Sequence, residues 1–194
     1  MQVEITLKYD YSIKKYVSMN IIDLIIEALR RINNPRYYRN ERGFITEFYH
    51  QLSPLVQNSR LYPPETILET EVQKRRADHF GINQRPDMLI HIPIETGLTD
   101  RPDENNFVVF AAKRRGGRRQ SLDDFRKLDE MFLHLNYELG IYINLQRYPS
   151  RFLPHYVGPY KPRIHEFSIA LNEENDVNIC HSYFINETPM LDLI

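Results

Sequence analysis

An α/β fold built on a central mixed sheet is predicted by three features of the sequence. Two short apolar runs, Met88-Leu89-Ile90-His91 after Arg85-Pro86-Asp87 and Phe107-Val108-Val109-Phe110-Ala111-Ala112 before Lys113, are separated by a stretch full of Pro, Gly, Asp and Asn, as adjacent strands joined by a long hairpin loop would be. Apolar residues recur at helical spacing on both sides of this pair. The succession of strand, helix and strand from Asn106 to Leu145 needs a crossover, and therefore a parallel pair within an otherwise mixed sheet.

Taken in order, residues 1–18 alternate weakly at Val3, Ile5 and Leu7 and read as a peripheral strand or docking arm. Asn20 is suited to cap a helix whose apolar positions are Ile21, Leu24, Ile25, Ala28, Leu29 and Ile32, before Asn33-Asn34-Pro35 ends it. A second helix is predicted from about Asn40 to Leu55, striped by Phe44, Ile45, Phe48, Tyr49 and Leu52. Ile67 to Lys74 reads as a half-buried strand. Ser121 is expected to cap a helix over Leu122 to about Asn136, with Phe125, Leu128, Phe132 and Leu135 on one face. Gly140 opens the next strand, Ile141 to Leu145, and two more strand-like runs lie near Ile164 to Leu171 and Val177 to Phe184.

Composition sets bounds on function. A chain of 194 residues with 42% apolar residues, 13 Tyr and 10 Phe can bury one core, so one domain over 1–194 is expected, with a central part at about 40–147, an N-terminal helix or arm at 1–35 and added strands at 160–186. A formal net charge of −1 gives no global attraction to polyanions, so any such binding must come from local clustering. The run Lys113-Arg114-Arg115-Gly116-Gly117-Arg118-Arg119 is such a cluster, with a Gly-Gly hinge expected to let its arginines follow a phosphate backbone. Cys180 is the single cysteine, which suits a reducing cytoplasm, and no apolar run approaches the roughly 20 residues of a membrane span. A soluble, unexported protein with no membrane partner is the expectation.

If the two central strands pair antiparallel, Asp87 at the head of one and Lys113 at the tail of the other meet at one end of the sheet. Pro86-Asp87, followed by a strand ending in x-x-Lys, resembles the PD-(D/E)XK nuclease superfamily, whose pattern is Pro-Asp, a spacer and then acid-x-Lys; here the last part reads Ala111-Ala112-Lys113. The resemblance covers roughly residues 40–147, where helix, three strands, helix and strand follow in that superfamily's order. It implies a restriction-endonuclease-like sheet flanked by helices, and Mg²⁺- or Mn²⁺-dependent hydrolysis of DNA phosphodiesters, with RNA as an alternative substrate. It also implies Asp87, position 111, the Ala112 carbonyl and Glu41 as metal-site positions, with Lys113 orienting or activating water. Glu47 rivals Glu41, and Glu71 is a secondary candidate. Arg114, Arg115, Arg118 and Arg119 would hold nucleic acid, and double-strand cutting implies a homodimer. A restriction or antiphage role, and a partner protein, belong to the same analogy.

Two accounts of Ala111 follow. The chain is an enzyme inactivated by an acid-to-alanine change, which the survival of Asp87, Lys113 and Glu41 favours, or it is a natural pseudo-nuclease that keeps only nucleic-acid or protein binding. Each site residue also has a plain structural alternative. Asp87 could cap a turn, Lys113 could end a strand, Glu41 and Glu47 could be solvated helix acids, and the basic run a solvated face. His91 shares a strand face with Asp87 and is expected to be packed. Asp103, in the repeated tripeptide Arg101-Pro102-Asp103, is expected in a loop because no apolar run follows it.

Overall fold

The computed structural model describes residues 11–70, 85–93, 96, 103–148 and 150–194, with the first turns of the opening helix described by backbone alone. Helix α1 spans Tyr11–Arg30, and a 3₁₀ turn at Pro35–Arg39 leads into α2, Glu41–Ser59. Three strands follow: β1 Ile67–Thr70, β2 Met88–His91 and β3 Asn106–Arg114. Helix α3, Arg118–Leu135, then crosses to β4, Leu139–Leu145. Two further 3₁₀ turns precede β5 Ile164–Leu171, β6 Val177–Ile185 and β7 Thr188–Leu193.

The fold is mixed α/β. Among the described residues, seven strands lie in sequence order across one sheet. β3, β4 and β5 run parallel to one another, and the other neighbouring pairs are antiparallel. The strand alternation sorts the core into two layers. Val108, Phe110 and Ala112 of β3, with Ile141 and Ile143 of β4, face α1 and α2, where Ile25, Leu29, Phe44 and Phe48 meet them. Val109 and Ala111, with Tyr142, face α3 and its Phe125, Leu128, Met131 and Phe132. Covered on both faces, β3 and β4 need apolar residues at nearly every position, which is why they read as continuous runs. Phe110 is fully buried, and its truncation to alanine should cost about 3–5 kcal/mol. Gly140 allows α3 to lie this close to β4, because a Cβ there would stand 2.6 Å from Phe132 Cζ.

Four expectations need correction. α1 begins at Tyr11, so Asn20 is interior to the helix and caps nothing. The spacing of Ile13, Tyr16, Val17 and Ile21 already carries the helical repeat through this stretch. Helix α3 starts at Arg118 with Gly117 in the cap position, so Ser121 is a buried helical residue whose hydroxyl meets Tyr142 Oη at 2.9 Å. The Gly-Gly pair is no free hinge, because Asn144 and Gln146 bind the main chain of Gly116. Finally, β7 adds a strand beyond Phe184 that the sequence pattern does not predict. Asn186 and Glu187 both take left-handed backbone angles, φ 47° and 68°, and make the two-residue turn that folds β7 back on β6. Pro189 lies in this edge strand, a sheet position that tolerates it.

The predicted strand over Ile67 to Lys74 is seen as β1 to Thr70; Glu71 and the residues after it lie outside the described part of the chain. The N-terminal alternation at Val3, Ile5 and Leu7 also lies outside it. Among the described residues, no helix is long and apolar enough to cross a membrane.

Candidate active site

The antiparallel register of β2 and β3 pairs Met88 with Phe110. Asp87, one residue earlier, therefore stands opposite the end of β3, and its N–H donates to the Phe110 carbonyl at 3.1 Å. Its carboxylate also accepts the N–H of Ala112 at 2.6 Å. In an antiparallel ladder a residue's N–H and C=O leave the strand on the same side, so the Ala112 carbonyl is directed towards Asp87 as well. Lys113 follows Ala111 by two residues and shares its face of the sheet.

Helix α2 brings Glu41 to the same end. The Asn40 side chain caps the helix by accepting the Gly43 N–H at 2.6 Å, which fixes Glu41 in the first turn, where the helix dipole favours an acid. One oxygen of Glu41 accepts the Arg114 N–H at 3.0 Å, and the other lies 3.8 Å from Lys113 Nζ. The start of α2 is thus tied to the end of β3. From the opposite face, α3 contributes Asp124 and Lys127, which form an ion pair at 2.5 Å. Glu41, Asp87, Ala111, Lys113, Asp124 and Lys127, with Arg85, line one cleft of about 130 Å³.

Burial pushes the Asp87 carboxyl above the usual carboxylate range. The Ala112 N–H draws it back, Glu41 raises it further, Lys113 lowers it, and Asp124 raises it again. Asp87 thus sits in a partly dry cleft with two other acids and a lysine acting on its charge. Its donor chemistry, carboxylate and carbonyl oxygen, suits a hard cation such as Mg²⁺. Ala111 brings only a methyl group to this cleft. Among the described residues, no three His, Cys, Asp or Glu side chains converge as a metal-binding group. The residues present fit the kind of ion, with Glu41, Asp87 and Asp124 as the acids lining the cleft.

The other candidates separate. Glu47 is engaged by Gln51 at 2.8 Å along α2 and does not line the cleft. His91 is buried, its Nε2 lying 2.8 Å from Glu69 in β1, so it is packed as expected. Asp103 lies in a turn. Arg114 is half-buried, with Nε donating to the Tyr38 carbonyl at 3.1 Å, whereas Arg115, Arg118 and Arg119 are exposed. Arg118 and Arg119 occupy the first turn of α3, which carries no acid. Positive charge is disfavoured there unless an anion is bound.

Beside the cleft, a second depression of about 310 Å³ is lined by Tyr38, Arg114, Arg115, Gln146 and Arg147. Nothing in the local sequence singles out Arg147. It lies 32 residues beyond Arg115 in number, and only the parallel pairing of β3 with β4, which sets Arg114 beside Leu145, brings the two together. Asn144 is likewise absent from the residues the sequence nominates. It is fully buried, accepts the Gly116 N–H at 3.1 Å and donates to the Gly116 carbonyl at 3.0 Å, fixing the turn that follows Lys113. A polar residue within an otherwise apolar strand was the available signal.

No protein-family model, curated protein or solved structure matches this chain.

Proposed function

We propose that this chain is a metal-dependent nuclease domain of the restriction-endonuclease-like kind, directed at DNA phosphodiesters and weakened by alanine at position 111. The observation that carries this reading is the fastening of Asp87 to Ala112, which brings a strand-leading acid, the position of a second acid and Lys113 into one cleft. Further support comes from the chain order α2, β1, β2, β3, α3, β4, with β1 to β4 adjacent in the sheet and β3 parallel to β4.

A bound Mg²⁺ or Mn²⁺ would polarise the phosphate and lower the pKa of a water. Asp87, Glu41 and the Ala112 carbonyl would hold it. Lys113, tethered at 3.8 Å to Glu41, can orient a water and offset charge gathering on the phosphate. Arg115, Arg118, Arg119 and Arg147 offer cations to the flanking backbone phosphates. Cutting both strands of a duplex would need two such sites, hence a pair of chains. A restriction or antiphage role remains analogy to the superfamily.

The second reading, a pseudo-nuclease that binds nucleic acid or a partner protein without cutting, is favoured by Ala111 itself. Ala111→Glu and Ala111→Asp decide between them. The acid-restored forms should cleave plasmid DNA or RNA oligonucleotides with Mg²⁺ or Mn²⁺, far faster than the present chain; the DNA and RNA arms separate a deoxyribonuclease from a ribonuclease. Absence of cleavage on both substrates with both metals would leave the binding module.

A further inference from the structure

The acid missing from position 111 has a counterpart across the cleft. Resting on the nuclease reading, we propose that Asp124 of α3 supplies the carboxylate that position 111 lacks, so that a divalent cation in this chain is held by Asp124 together with Asp87 and Glu41.

Ala111 faces the α3 side of the sheet and packs against that layer. Asp124 is in the same layer, only 4% exposed, and lines the cleft with Asp87, Ala111 and Lys113. One of its oxygens accepts from Lys127. The other, Oδ2, is buried with no hydrogen-bond partner among the described residues. A buried, unsatisfied carboxylate oxygen is costly, and a fold keeps few of them. Pairing with Lys127 does not account for it, because the Lys127 side chain is half exposed and an exposed partner such as Asp123, which serves Arg126 one residue earlier, would do as well. The small side chain at 111 lines the same cleft as Asp87 and Asp124. A cation held in this cleft would offset the charge of both Asp87 and Asp124, which line it.

The test is Mn²⁺ binding by titration calorimetry to the full chain, with folding checked by thermal unfolding. Asp124→Asn should weaken Mn²⁺ at least about tenfold, whereas Asp123→Asn should leave it unchanged. Lys127→Gln should tighten it, since a competing cation leaves Oδ1; a merely structural Asp124–Lys127 pair would not respond this way. In an Ala111→Glu background the Asp124→Asn effect should shrink, because the acid at 111 takes over. Unchanged Mn²⁺ affinity in both Asp124→Asn and Lys127→Gln, alongside a loss in Asp87→Asn, overturns the assignment and leaves the nuclease reading standing. If Asp87→Asn and Ala111→Glu also fail to alter Mn²⁺ binding, the metal site itself is wrong, and both readings fall. Should Asp124→Asn not fold, Lys127→Gln decides alone.

Discussion

The carboxylate of Asp87 holds the main-chain N–H of Ala112 at 2.6 Å, so the acid just before β2 is fastened between the alanine at 111 and Lys113. Asp87→Ala should leave that N–H without its acceptor and cost about 1–3 kcal/mol of stability by denaturant unfolding. Asp87→Asn keeps an acceptor and removes the charge. Because the Asp87 carboxyl is raised in the folded state, ionising it costs the fold stability as pH rises above the ordinary carboxylate range. Asp87→Asn should therefore match or exceed the parent at neutral pH while losing cation binding. A loss as large as that of the alanine variant would show that the charge itself secures the strand ends.

Arginines of the basic run should divide by exposure. Substituting Arg115, Arg118 and Arg119 with alanine should lower the slope of log affinity for DNA against log salt by about one for each phosphate no longer neutralised. Arg114, whose guanidinium holds the Tyr38 carbonyl, should instead show up mainly as reduced stability. Fluorescence anisotropy across a salt series, with denaturant unfolding beside it, reads both. An unchanged slope in the triple variant would return the run to solvated surface.

Several of these relationships were legible in the sequence because they are local or follow from strand alternation. Asp87 and Lys113 could be placed at one sheet end from the antiparallel order alone, and Glu41 came from the resemblance together with the helix predicted from about Asn40. Arg147 and Asn144 could not, since they enter through the parallel register of β3 with β4, which no local pattern sets. Asp124 falls within the helix predicted over Leu122 to about Asn136, but that its buried Oδ2 has no partner among the described residues is a tertiary fact. β7 escaped because Thr188-Pro189 resembles a loop, and the turn that makes it a strand depends on left-handed angles at two non-glycine residues.

Glu166 should give the fold a distinct pH response. It is fully buried in β5, accepts the N–H groups of Phe152 and Leu153 at 2.7 Å, and burial pushes its carboxyl up to about 7 despite those bonds. The folded chain therefore holds this proton where the unfolded chain has released it, so stability falls as pH rises from the usual glutamate range to about 7. His165 and His181 act oppositely: desolvation lowers both, the unfolded chain protonates first, and stability falls as pH drops below their ordinary value. Comparison with Glu166→Gln isolates the glutamate. Unfolding measured between about pH 5 and about pH 8 should show the parent losing stability relative to the variant as pH rises, and parallel curves would refute the shift.

The turn after β3 carries the most specific demand on a single residue. A Cβ at Gly116 would stand 2.7 Å from Lys113 Cγ and 2.8 Å from Tyr142 Oη. The backbone cannot retreat, because Asn144 and Gln146 hold it, and Tyr142 is held by Ser121. Lys113 is the group left to move. Gly116→Ala should cost about 1–3 kcal/mol from overpacking. In the Ala111→Glu form it should slow cleavage by about 10- to 100-fold, since a displacement of about 1 Å is enough for such losses. Gly117→Ala is the matched control: a Cβ there meets nothing within 4 Å, so only a modest weakening of the α3 cap is expected. Single-turnover cleavage and denaturant unfolding on the two variants separate the effects, and equal cleavage by both would mean that the placement of Lys113 does not limit the reaction.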